Sequence, residues 1–133
     1  MNSDSAASAG FLEPQVGSSF TNSSASGTYG FGSIDPAVPL TKNEEGTITF
    51  TSSSASINGT SDKNSLGNQV PDNSATSSYA INSSGVGLLP AGCTLTGSSA
   101  NCENLFIIIS PTRAVIISVK STNTTPILEL LQQ

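Results

Sequence analysis

The stretch Thr47-Ile48-Thr49-Phe50-Thr51 alternates threonine with a large apolar residue. Because successive side chains of a strand point to opposite faces, Ile48 and Phe50 would share a buried face and the threonines a solvated one. The same alternation recurs at two other places, in which the apolar residues are Tyr29 with Phe31 and Tyr79 with Ile81. This period of two predicts an antiparallel sheet with one buried face.

Other short strands are predicted at 55–59 and at 86–89, the latter continuing past Pro90 through Cys93–Thr96. Residues 59–74 are rich in Gly, Asn, Asp and Pro, which are the residues that form turns. The sequence therefore predicts one long loop over 59–74.

The C-terminal third differs, because its three strand candidates are apolar on both faces: 105–109, 114–119 and 126–131. Continuous apolar runs of this kind indicate burial on both sides of a sheet. The outer face then needs a cover. Two covers are equally compatible with the sequence: the segment 11–16, with or without Phe20, or a neighbouring domain or second copy of the chain.

These strands predict an all-β antiparallel meander of seven to eight strands. Since the strands follow one another hairpin by hairpin, an up-and-down barrel of the lipocalin or avidin kind is favoured over a sandwich. Residues 1–10 are interpreted as a flexible lead-in and residues 11–133 as a single domain, which suits a chain of 133 residues.

Composition excludes several classes of function. Charged residues make up only 10% of the chain, the net charge is −5, and the four basic residues are scattered. Nucleic acids and anionic membrane surfaces both select clustered Lys and Arg, so neither is an expected partner. No apolar stretch is long enough to span a bilayer, and we expect no membrane span.

The chain has two cysteines, Cys93 and Cys102, with turn-forming residues between them. A local, even pair in a chain with 25 Ser and 14 Thr favours a disulfide over two free thiols, and with it an extracellular or cell-surface location. Residues 1–10 lack the apolar region of a signal peptide. If the protein is extracellular, we expect this chain to be a piece of a longer precursor.

The residues offer little for catalysis, because histidine is absent and no Ser-x-x-Lys motif lies on a helical pattern. On a strand, Glu44 and Glu45 would point to opposite faces. Two charged residues before a glycine are also typical of a solvated turn. Asp62 with Glu103 or Glu129 is a possible carboxylate pair of unknown separation. We expect no catalytic residues, no cofactor and no enzyme activity.

A calcium site is considered in the 59–74 segment, where four oxygen-bearing side chains could converge: Asp62, Asn64, Asp72 and Asn73. Calcium needs several oxygen ligands in one tight loop. Local turns in which Asn and Asp side chains bind their own backbone explain the same residues, and the sequence favours these turns.

Three segments carry a resemblance to a known family: 10–15 with 20–22 and 26–32, 46–50 with 58–62, and 108–117 with Gln132. They resemble a repeated β-domain of large secreted or surface proteins of Acidobacteria, over most of residues 10–133. That family has no assigned activity, so the resemblance implies a bacterial surface location and architecture only. The chain departs from it at Ser77-Ser78-Tyr79, which is usually Gly-Thr-Tyr, and in its cysteine pair.

The sequence therefore favours a non-catalytic extracellular β-domain that acts as a structural spacer or interaction module. Its expected partners are neighbouring domains or copies of itself, bound through the apolar C-terminal strands. The alternative is a barrel that binds a small apolar molecule or a glycan; an acidic-residue hydrolase ranks last. An open interior favours the binding barrel, whereas a solid core would exclude it.

Overall fold

The computed structural model describes residues 13–34, 42–65, 67–95, 101–119 and 128–132. Within them the chain forms one short 3-10 helix, Asn22–Ala25, and nine β-strands. In chain order the strands are β1 (Gly27–Ile34), β2 (Lys42–Thr51), β3 (Ser56–Ser65), β4 (Asn68–Ser78), β5 (Ala80–Ile81), β6 (Val86–Leu89), β7 (Asn104–Ser110), β8 (Arg113–Ser118) and β9 (Leu128–Gln132).

All nine strands belong to one antiparallel sheet in the order β4-β3-β2-β1-β9-β8-β7-β6-β5. Paired strands are neighbours in the sequence except for β1 with β9, in which Phe31 lies opposite Leu131. The all-β antiparallel meander is thus confirmed. The count is nine because Tyr79, whose N–H donates to the Ala55 carbonyl, separates β4 from the two-residue β5.

The centre of the molecule is an aromatic cluster of Tyr29, Phe50, Tyr79 and Phe106, each at most 2% exposed. The Phe50 ring lies 5.6 Å from Tyr29, 5.3 Å from Tyr79 and 5.3 Å from Phe106 between ring centroids. The first two contacts are edge-to-face, the arrangement that aromatic quadrupoles prefer. The alternation in the sequence therefore identified the core face of β1 and β2 correctly.

The prediction of a long loop over 59–74 is wrong. Residues 56–65 and 68–78 form a strand hairpin, which turns around Gly67 at φ +87°. Asp62 sits at a bulge in this pairing, opposite Pro71 and Asp72, where a proline without an N–H is tolerated. The turn-like composition here reflects exposure: β4 is solvated at all but two of its positions.

The continuation of a strand through Cys93–Thr96 is also wrong for residues 93–95, and Thr96 lies outside the described residues. Strand β6 ends at Leu89 because Pro90 has no N–H to extend the ladder. The chain then turns at Gly92, where φ is +77°.

The segment 13–20 lies beside the turn between β7 and β8. The Val16 N–H donates to the Ile109 carbonyl (2.7 Å), the Gln15 amide donates to the Ile108 carbonyl (2.7 Å), and Glu13 pairs with Arg113. The described residues of the predicted cover thus contact β7 and β8 at this turn. Val16 is 61% exposed, and Phe20 is buried in the core cluster; Phe11 and Leu12 lie outside the described residues.

The outer face of the C-terminal strands is intermediate in exposure. Val115 is 6% exposed although it points away from the core, so β8 is buried on both faces at this position. Its outward-facing apolar neighbours are half-buried: Leu105, Ile107, Ile109 and Ile117. Two-sided burial is therefore confirmed at Val115.

The two core tyrosines should make the protein less stable at alkaline pH. Burial raises the pKa of Tyr29. The pKa of Tyr79 is also raised, mainly by burial and secondly by the nearby Tyr29 phenolate. The Tyr79 hydroxyl donates to the Asn22 carbonyl. Above about pH 10 the unfolded chain releases these protons before the folded chain does, so stability falls as pH rises. We expect the urea midpoint, measured by circular dichroism, to fall between pH 9 and pH 11. Tyr29→Phe should reduce that fall, and an unchanged wild-type midpoint would contradict this reasoning.

Candidate ligand cavity

Side chains on the core face change from large to small along the strands. On β2 the inward positions run from Phe50 and Ile48 to Gly46 and then Glu44. On β3 they run from Ile57 to Gly59 and Ser61. Because antiparallel neighbours are in register, all the small residues fall at the same end of the sheet. The aromatic cluster therefore fills one end of the core, and the other end is left open.

A cavity of about 310 Å³ occupies this open end, between β2–β4 on one side and β6–β8 on the other. Its apolar wall consists of Phe31, Ile48, Ile57, Leu89 and Ile116. Its polar lining includes Glu44, Ser61, Lys63, Asn73, Ser77, Glu103, Asn104 and Ser118. The volume is at the lower end of the range for small-molecule sites.

An ion pair inside this lining gives the cavity its charge. Glu44 and Lys63 are opposite each other in the β2–β3 register, and the Lys63 Nζ lies 3.3 Å from the Glu44 Oε1. The buried Ser61 hydroxyl donates to the same carboxylate oxygen. Gly46, the register partner of Ser61, leaves the space that this contact needs.

This ion pair was not predicted, because Glu44 was interpreted as a solvated turn residue and Lys63 falls within the predicted loop over 59–74. Both lie within strands, and their side chains are only 15% and 31% exposed. The alternation of side chains on this strand could have located Glu44. If the period of two continues from Phe50 and Ile48 through Gly46, Glu44 lies on the core face.

The residues considered for calcium are not brought together. The Asp62 carboxylate accepts the Asp72 N–H (2.9 Å) at the bulge, and the Asn64 side chain accepts the Gly67 N–H (3.0 Å) in the turn. Asn73 lines the cavity on the core face. In the part of the chain that the structure describes, no three His, Cys, Asp or Glu residues are grouped for metal binding.

The carboxylates fall on different faces, as the sequence predicted for Glu44 and Glu45. Glu45 lies opposite Asp62 on the exposed outer face of β2 and β3, and both line a second surface pocket that Glu44 and Lys63 also border. Glu103 lies at the cavity, across from Glu44. The side chain of Glu129 is outside the described residues.

The structure pairs Cys93 with Cys102 in a disulfide, with Cα atoms 5.0 Å apart. The pair closes the connection between β6 and β7, where the Thr94 and Asn101 backbones also bond to each other. The Glu103 N–H donates to the Leu89 carbonyl (2.9 Å) immediately beyond the disulfide. The cross-link thus lies next to one side of the cavity.

Comparison with known proteins found no matching family model, no matching curated protein and no matching solved structure. Across the described ranges, no helix has the length and apolar character needed to traverse a bilayer.

Proposed function

We propose that this chain is a non-catalytic extracellular β-barrel domain that binds a small ligand in the open end of its core. The observation that carries the proposal is the cavity of about 310 Å³, which has an apolar wall and a polar lining. Concave sites that combine an apolar wall with placed polar groups are typical of small-molecule binding.

The strand pairing supports closure into a barrel rather than a two-sheet sandwich. The first and last strands pair with each other, and β4 and β5, at the two ends of the hydrogen-bonded order, are joined through the single residue Tyr79. A path from strand to strand therefore returns to its starting point. This connectivity supports an up-and-down barrel of eight strands, if β4 and β5 are taken as one bent strand. A barrel of about that size can hold one small ligand.

Two features support a non-catalytic role. The sequence has no histidine, and Ser61 donates its hydroxyl to a carboxylate that is already paired with Lys63. An extracellular location is supported by the disulfide and by the resemblance to bacterial surface domains. An assay with aryl glycosides tests this assignment. If the protein hydrolyses them and Glu44→Gln or Glu103→Gln abolishes the activity, the non-catalytic assignment is wrong.

Ligand binding is tested with N-phenyl-1-naphthylamine, an uncharged apolar fluorophore. We expect saturable fluorescence enhancement that Ala75→Phe weakens at least about tenfold, because Ala75 lines the cavity and a phenyl group would fill it. The control is Ser74→Phe, since Ser74 is exposed on the opposite face of β4. Equal binding by both variants, or no binding by the unmodified chain, would contradict the proposal.

A second function, as an interaction module, is favoured by one observation. The half-buried apolar residues on the outer face of β7 and β8, such as Ile107 and Ile117, could pack against a neighbouring domain or copy. Light scattering coupled to size-exclusion chromatography tests self-association. If this alternative is correct, the protein forms a dimer, and Ile117→Lys dissociates it. A protein that stays monomeric at all concentrations would contradict self-association.

A further inference from the structure

We infer that the cavity selects an uncharged amphiphile, with a short hydrocarbon part and a hydroxyl-bearing head, over anionic and cationic analogues. The inference rests on the proposed ligand binding and adds the chemical class of the ligand. It follows from how the apolar and polar residues are distributed around the cavity and from the state of its charges.

The hydrocarbon part is assigned to the wall nearest the aromatic cluster. Ile57, Leu89 and Ile116 are each at most 5% exposed and meet the cavity from three different strands. Phe31 and Ile48, which pack partly buried against the same core, extend this wall. Burying a hydrocarbon against such a wall is favourable in proportion to the apolar area that is removed from water.

The polar head is assigned to the amide and hydroxyl side chains that line the cavity beside this wall, since Ser77 lies opposite Ile57 and Asn104 lies opposite Leu89 in the strand register. Amide and hydroxyl groups lie there on both sides of the cavity: Asn73 and Ser77 on β4, and Asn104 and Ser118 on β7 and β8. These side chains offer donors and acceptors together, which suits a hydroxyl because it both donates and accepts.

The charges of the lining argue against a charged head. The Lys63 ammonium and the Glu44 carboxylate neutralise each other, and Ser61 adds a hydrogen bond to the carboxylate. The lining also includes Glu103, which is exposed, so water and salt screen its charge. A charged head would lose hydration without gaining an unpaired counter-ion from this pair. An anion would also meet a protein of net charge −5.

The experiment measures displacement of N-phenyl-1-naphthylamine by 1-octanol, octanoate and octylammonium at pH 7 and moderate salt. We expect octanol to displace the fluorophore at a concentration at least about tenfold lower than either charged analogue. Octyl glucoside serves as a fourth competitor, and its success would extend the head group to a sugar.

Variants of the ion pair test the reason for this selectivity. Glu44→Gln removes the carboxylate that pairs with Lys63, so we expect octanoate to gain at least about tenfold in affinity while octanol changes little. Lys63→Met should shift the preference toward octylammonium. Glu45→Gln is the matched control, because it removes a neighbouring carboxylate from the outer face and should leave all three affinities unchanged.

The outcomes separate the two proposals. If neither the fluorophore nor any octyl compound binds, ligand binding itself fails. If the compounds bind but octanoate or octylammonium equals octanol, or if Glu44→Gln behaves like Glu45→Gln, the inferred ligand class is overturned and ligand binding stands. Urea denaturation of each variant identifies any that is unfolded, and Lys63→Met then provides the test if Glu44→Gln does not fold.

Discussion

Replacing Phe50 with alanine should lower the free energy of unfolding by about 3–5 kcal/mol. Phe50 is 2% exposed, and its ring contacts three other aromatic rings from β1, the β4–β5 junction and β7. Alanine would therefore remove apolar contacts and leave a cavity between β2 and strands such as β7, with which β2 has no backbone pairing. Since domains of this size are stable by about 5–15 kcal/mol, the loss is a large share of the total.

Urea denaturation followed by circular dichroism measures this effect. Phe50→Leu should cost less than Phe50→Ala, because leucine fills part of the space. The control is Thr47→Ala on the same strand, whose exposed side chain makes one long contact, 3.4 Å, with Thr60. A loss for Phe50→Ala no larger than for Thr47→Ala would show that the aromatic cluster does not hold the fold together.

The second large effect is expected for Gly46→Ala, which should destabilise the protein by about 1–3 kcal/mol, toward the upper end. A Cβ at this position would overlap the Thr60 carbonyl oxygen and the Ser61 Cα. These are backbone atoms of the paired strand β3, so they cannot move away as a flexible side chain would. Relief requires β2 and β3 to separate at the point where Ser61 reaches Glu44.

Gly32→Ala is the matched control, because Gly32 also lies in a strand and a Cβ there meets nothing within 4 Å. We expect Gly32→Ala to be neutral or slightly stabilising, since alanine has less freedom to lose than glycine on folding. Equal urea midpoints for the two variants would contradict the close approach of β2 and β3 at Gly46.

The strands with a strong apolar signal were predictable from the sequence. Alternation located Tyr29 and Phe50 on the core face, and continuous apolar runs located β7, β8 and β9. The β3–β4 hairpin was missed because its stability comes from backbone pairing between exposed polar residues. Residue types that prefer turns carry no signal for such pairing, which is set by the partner strand and the turn at Gly67.

The disulfide was predictable because its two cysteines are close in the sequence, whereas the cavity was not. An empty space arises where neighbouring strands place small residues opposite each other: Gly46 lies opposite Ser61, and Gly59 lies opposite Ala75. That coincidence depends on the register of three strands. A single sequence specifies each alternation but not the relative register, so the Glu44–Lys63 pair emerges only in three dimensions.

The last strand, β9, pairs with the first, β1, and the proposed barrel with its enclosed core depends on this pairing. Nuclear Overhauser effects between backbone protons of β1 and β9 test it most directly. The structure predicts contacts that follow one antiparallel register, with Gly30 opposite Gln132 and Ile34 opposite Leu128. If β1 shows contacts to β2 alone and its other edge exchanges its amide protons rapidly, the sheet is open and the account of the core and its cavity is wrong.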